Sequence, residues 1–124
     1  MTPSEEWIEK AEADFKGAEG MNRRKVPLPD LVCFHCQQCI EKYLKAYLIQ
    51  QGETPPRTHD LAELLSRSIS YDATFSALRT PALTLNLYSV GYRYPGDTAT
   101  VVEAKEAMRT TRSLRKILRR HLGL

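Results

Sequence analysis

Hydrophobic positions recur at intervals of three and four along most of the chain, the spacing that lines up side chains on one face of an α-helix. Trp7, Ala11, Phe15 and Ala18 form the first such stripe. Thr2-Pro3-Ser4-Glu5 precedes it as a capping box with proline at the first helical position, and Gly20 marks its approximate end. Residues 20–29 carry Arg23-Arg24-Lys25 and two prolines and read as a loop. A second helix is predicted from Pro29-Asp30, with Asp30 as N-cap, to about Gln51, where Gly52 stops it. Pro55-Pro56 holds an extended link. Thr58 is the expected cap of a third helix, with Asp60 in its first turn and Leu61, Leu64, Leu65 and Ile69 on its apolar side. Residues 72–89 read as helical with a break near Thr80-Pro81, because proline is tolerated only in a first turn. Tyr92-Arg93-Tyr94-Pro95-Gly96-Asp97 is a turn. The last helix is predicted from about Thr98 to Leu122, with Thr100-x-x-Glu103 as a capping box. Its core side is Val101, Ala104, Met108, Leu114, Leu118 and Leu122. No convincing strand is present. The expected fold is an all-α, up-and-down bundle of four to five helices, with residues 1–124 as one domain.

The second helix departs from simple amphipathicity. At about 100° per residue, Cys33, Cys36, Ile40, Tyr43, Leu44 and Tyr47 fall on one broad apolar face. His35, Gln38, Lys42 and Lys45 align on another, and the small residues Cys39 and Ala46 flank that polar row. A helix of this kind is expected to be packed on more than one side, with its polar row beside a crevice.

Composition narrows the setting. The 124 residues include 42% hydrophobic and 27% charged residues, ordinary for a globular domain. No run of 18 apolar residues exists, so no membrane-spanning helix is expected. Thr2-Pro3-Ser4-Glu5-Glu6 does not resemble a signal peptide, and the expected compartment is the cytoplasm. The three cysteines, all within seven residues on one helix, make no disulfide framework and fit a reducing compartment. Cys33-x-x-Cys36-x-x-Cys39 also lacks a fourth cysteine and the irregular loop typical of iron–sulfur sites, so no metal or cofactor is expected and the cysteines read as small buried hydrophobes. The net charge of +3 is unevenly distributed. Residues 1–62 hold 8 basic and 10 acidic side chains, whereas residues 63–124 hold 10 basic and 5 acidic. The excess lies on the last helix, where Lys105, Arg109, Arg112, Arg115/Lys116 and Arg119 repeat at three or four. This row suits a solvated face, an acidic partner, or a nucleic-acid backbone.

Phe34-His35-x-Gln37-Gln38-x-x-Glu41-Lys42-x-x-Lys45-Ala46, then Thr58-His59-Asp60-Leu61, then Arg93-Tyr94-Pro95-Gly96, together resemble the HEPN domain family, over nearly the whole chain. The resemblance implies a helical bundle that usually dimerises, and a nucleotide-binding role. Small prokaryotic members often accompany a minimal nucleotidyltransferase, in pairs that include toxin–antitoxin systems. Many toxins of the family are metal-independent ribonucleases with four to six residues between an arginine and a histidine. Here Arg115 and His121 have that spacing, but Lys116 stands where active toxins commonly carry asparagine.

The motif residues have the chemistry such a ligand needs. His35, Gln38 and Lys42 offer an imidazole, an amide and a mobile cation for a phosphate or base, or else they pair with Glu41, Asp60 or a partner subunit and orient helices. His59 sits at a helix start beside Arg57 and Thr58, a setting that suits an anion as well as simple capping. Arg93 next to a Pro-Gly turn can clamp a phosphate; Tyr94 can stack on a base or cover the core edge. The leading expectation is a nucleotide- or RNA-phosphate-binding module that works as a homodimer with a nucleotidyltransferase. The alternatives are a ribonuclease toxin using Arg115 and His121, and a non-catalytic adaptor whose basic helix docks an acidic protein.

Overall fold

The computed structural model describes residues 1–89 and 95–124. Among the described residues there are five α-helices and no strand: α1 (Pro3–Asn22), α2 (Pro29–Gln50), α3 (Leu61–Ile69), α4 (Arg79–Asn86) and α5 (Val101–His121). A 3-10 helix, Ala73–Leu78, leads into α4, and a shorter one, Leu87–Ser89, follows it. The expected all-α bundle is what forms. Its central element is α2, which packs against α1, α5, α3 and α4.

The ends of the helices follow from local chemistry. Thr2 and Thr100 each cap a helix while Glu5 and Glu103 accept in return from the cap's own N–H, so both capping boxes are complete. Gly52 lies just past α2 at φ +86°, where Gly52 N–H bonds Ile49 O and Glu53 N–H bonds Leu48 O, closing a Schellman motif. Gly123 ends α5 in the same way.

Four expected helix boundaries shift. Helix α1 runs through Gly20 to Asn22, since a lone glycine costs a helix only about 1 kcal/mol. The residue at the N-cap of α2 is Leu28, not Asp30. Asp30 sits in the first turn, where its carboxylate accepts from Ala99 N–H at 2.6 Å and ties the start of α2 to the approach to α5. Asp60, not Thr58, caps α3 by accepting from Ala62 N–H, while Thr58 accepts from Asp60 N–H one step upstream. The helical break falls at Leu78–Arg79, which puts Pro81 inside the first turn of α4, the place proline tolerates.

The core is built around α2. Cys33, Cys36, Cys39, Ile40, Tyr43, Leu44, Ala46 and Leu48 are essentially inaccessible, joined by Ala11 and Ala18 from α1, Leu61, Leu64 and Leu65 from α3, Phe75, Leu85, and Met108, Leu114 and Leu118 from α5. Each large aliphatic or aromatic side chain so buried contributes about 1.5–3 kcal/mol. Small residues at Ala11, Ala18, Cys39 and Ala46 leave room for helices to approach on both flanks of α2. Val101 is the exception on α5; at the first helical position it stays exposed. No described helix is long and apolar enough to cross a membrane.

Candidate functional site

The polar row of α2 lies over two buried carboxylates, Glu41, which the sequence already offered as a partner, and Asp14, which it did not. The first is Asp14, on α1 between Ala11 and Ala18, in the stripe that packs on α2. One of its oxygens meets His35 Nδ1 at 2.7 Å and the other accepts from Lys42 Nζ at 2.5 Å. The second is Glu41, on α2 itself and 2% exposed. It accepts from Lys45 Nζ at 3.1 Å and meets His59 Nδ1 at 2.9 Å, with the Gln38 amide at 3.4 Å. Gln37, fully buried, donates to the backbone carbonyl of His59 at 2.8 Å and accepts from Gln38. The amide of Gln37 and the carboxylate of Glu41 together pin the residue before the α3 cap to the side of α2.

The result is two histidines held alike. Asp14 fixes His35 and Glu41 fixes His59, each through Nδ1, which leaves Nε2 of each ring for a second partner. The His35 side chain is 30% exposed and that of His59 66%. Lys42, 21% exposed, shares Asp14 with His35, and half-buried Gln38 shares Glu41 with His59. Lys45, by contrast, is drawn under the surface, with its ammonium 5.3 Å from the centre of the Trp7 ring and its charge answered by Glu41. Of the expected site residues, the structure therefore brings His35 and Lys42 together on Asp14, and Gln38 and His59 together on Glu41. Arg93 and Tyr94, with Tyr92 of the same predicted turn, lie outside the described residues.

Arg115 and His121 are not brought together. Arg115 grips Glu12 of α1 through Nε and a terminal nitrogen, both at 2.8 Å, and its guanidinium lies 4.4 Å from the Phe15 ring centre. Arg119 and the hydroxyl of buried Tyr43 also bond Glu12. His121 faces elsewhere: its ring lies 4.3 Å from that of Phe75, and Nδ1 is 3.3 Å from Asp72. The helix between them turns the two side chains toward different neighbours.

The three thiols are buried and free. Burial pushes Cys33 up to about 12 and Cys36 up to about 11, and raises Cys39 well above the ordinary thiol value, so all three stay protonated at neutral pH. Among the described residues, no group of three or more His, Cys, Asp or Glu side chains is placed to hold a metal ion.

Two of the carboxylates make the fold acid-sensitive. Burial pushes the Asp14 carboxyl up, but the bonds and charges of His35 and Lys42 outweigh it and the net shift is downward from 3.8. Glu12 behaves the same way: burial raises it, Arg115 and Arg119 lower it further, and it ends below 4.5. A carboxylate lowered in the folded state contributes stability above its unfolded value and loses it as pH falls through the folded one. We expect a flat Tm from pH 8 to 6 and a decline that begins near pH 4.5, the ordinary carboxyl range. Asp14→Asn should shallow the acid limb; an unchanged limb would remove Asp14 from the account.

Sequence cues to these carboxylates exist in hindsight. Asp14 interrupts an otherwise small and apolar stripe, and Glu41 stands at i+4 from Gln37 and at i−4 from Lys45. Both spacings place an acid at a packed seam. Glu12 gave no such cue, since its partners lie on α5 and α2.

The overall geometry is shared with solved structures. The crystal structure of TT1696 from Thermus thermophilus is similar with a TM-score of 0.82 at 22% identity, covering 98% of this chain and 99% of that one. The crystal structure of ST0689, an archaeal HEPN homologue, is similar with a TM-score of 0.75 at 24% identity, over 96% and 97% of the two chains. These likenesses concern the fold. No curated protein matches the chain. The family model for the HEPN domain matches residues 4–121, from the first turn of α1 to the last residue of α5. This chain therefore belongs to the HEPN domain family.

Proposed function

We propose that this HEPN domain binds a nucleotide or RNA phosphate on the strip formed by α2 and the start of α3, with His35, Gln38, Lys42 and His59 as the contacting residues. The observation that carries the reading is that two buried carboxylates hold the polar row in pairs, Asp14 with His35 and Lys42, and Glu41 with His59 and Gln38. A carboxylate on Nδ1 fixes the ring's orientation without occupying Nε2, so two nitrogens, one amide and one ammonium are presented with little rotamer freedom left to lose. Arriving phosphate oxygens would share Lys42 with Asp14, and that competition limits the affinity gained from Lys42. Arg93 and Tyr94 belong to the proposed site by the family motif alone.

The same strip bears exposed Leu31 and Phe34 on the outer face of α2. We assign that part to contact with a second copy of the chain, which makes the working unit a homodimer. A minimal nucleotidyltransferase as partner rests on the sequence resemblance.

The test is a thermal shift against a nucleotide panel, with Lys42→Ala in parallel. Ligand at one hundred times its dissociation constant adds about 2.7 kcal/mol, a rise on the order of 10 °C for a domain of this size. We expect the rise in the wild type and its loss in Lys42→Ala. The variant's unliganded Tm should fall by only a few degrees, since Asp14 keeps His35 as a partner. A variant that shifts as far as the wild type would sink this site.

A further inference from the structure

The outer face of α5 is not used by the α2 strip, and its charge is of one sign. Lys105, Arg109, Arg112, Lys116 and Arg120 follow one another at steps of four, three, four and four residues and all reach the surface. At 100° per residue they stay within about 80° of one another, and from first to last they run about 22 Å along the helix. No acidic residue falls within that arc; Glu103 and Glu106 lie to one side of it. Arg112 has a loose ion pair with Glu19, at 3.7 Å. Among the described residues, no carboxylate lies within ion-pair distance of Lys105, Arg109, Lys116 or Arg120.

This separation of roles along α5 is informative. The arginines needed to fasten α5 to α1, Arg115 and Arg119, sit at the edge of the stripe and are consumed by Glu12. Among the described residues, the remaining five cations contribute nothing to ion pairing beyond the one loose contact, and their mutual repulsion costs stability. Successive charges rise about 4.5–6 Å along the axis, a spacing that lets consecutive residues meet consecutive phosphates of one strand. No aromatic side chain interrupts the arc, so there is nothing on it to stack a base. Beside it, a hollow of about 410 Å³ between α1 and α5 is lined by Phe15, Glu19, Arg112, Ser113, Arg115 and Lys116, and gives a phosphate a recess next to two of the five cations.

We propose that this stripe is a track for the phosphate backbone of a nucleic-acid strand, read without regard to sequence and separate from the α2 strip. It does not depend on the nucleotide reading of that strip. A regular phosphate polymer is favoured over an acidic polypeptide because the cations are evenly spaced and unbroken by apolar anchors, which a protein interface would place at its centre.

The test is fluorescence anisotropy with a labelled, mixed-sequence single-stranded RNA of about 20 nucleotides, titrated at several salt concentrations. Five phosphate contacts give a slope of log K against log salt of about −3.5, a loss of roughly a hundredfold between 50 and 200 mM salt. Arg109→Gln/Lys116→Gln removes two exposed contacts. Its slope should fall to about −2 and its loss over the same range to roughly twentyfold. Arg79→Gln, which removes one exposed cation from the start of α4, outside both surfaces, should keep the wild-type slope, so that position on α5 and not net charge carries the effect. Absence of binding at 50 mM salt, an unchanged slope in the double variant, or equal affinity for polyglutamate would each overturn the assignment.

Discussion

Glu41→Ala should be the most damaging single polar substitution in this chain, lowering stability by about 3–5 kcal/mol. Glu41 is 2% exposed, and the ammonium it neutralises, Lys45, is nearly as deeply buried. Removing the carboxylate strands that charge beneath the surface, where the Trp7 ring alone offers partial compensation. The same substitution frees the His59 ring and takes an acceptor from Gln38, so the start of α3 keeps only the Gln37 amide of its two holds on α2. At about 4 °C per kcal/mol for a domain of this size, the Tm should drop by about 12–20 °C. Circular dichroism melting provides the readout. Glu41→Leu combined with Lys45→Met should recover most of the loss, because a buried ion pair replaced by apolar residues is often neutral. A Glu41→Ala melt within a few degrees of wild type would mean that Lys45 reaches water in solution.

The helical skeleton was legible because its signals are local. Capping boxes at Thr2 and Thr100 and the glycine at 52 act within a few residues of themselves, and each marks a helix end in the structure. Where a boundary depended on distant partners, the sequence misled. Asp30 has the chemistry of a cap, but Ala99 N–H, far along the chain, takes its carboxylate. Asp60 wins the α3 cap over Thr58 partly because Asn86 of α4 holds both Asp60 and the backbone of Leu61.

The candidate site was legible on one side only. Helical periodicity places His35, Gln38 and Lys42 on a common strip, since that follows from geometry within α2. Periodicity says nothing about which element supplies the opposing charge. Asp14 comes from α1 and reaches across 21 and 28 residues of sequence to His35 and Lys42. Glu41, adjacent to the row, reads as a partner for it, but its burial and its hold on His59 appear only once the start of α3 is seen against α2. The spacing between Arg115 and His121 is a local signal without a shared environment, because Glu12 and Asp72 draw the two side chains to different parts of the bundle.

Glu12 is the second position where one carboxylate holds several elements, and its loss should cost about 2–3 kcal/mol. It bonds Arg115 through two parallel contacts at 2.8 Å, Arg119 at 3.2 Å, and the hydroxyl of Tyr43, whose ring is wholly buried in α2. Hydrogen bonds to charged groups contribute about 1.5–3 kcal/mol each when buried. Here the guanidinium groups are about a third exposed and can turn to water after Glu12→Ala, which holds the loss well below the sum of the contacts. The Tyr43 hydroxyl cannot turn away, but it keeps Arg119 at 3.1 Å. The Tm should therefore fall by about 8–12 °C. Glu12→Gln, which keeps one acceptor oxygen without the charge, should cost roughly half as much. In a double-mutant cycle with Tyr43→Phe, the combined loss should be less than the sum of the single losses, because both substitutions remove the same bond. Strict additivity would show that Glu12 serves α5 alone and that the link from α1 through Tyr43 to α5 is not a unit.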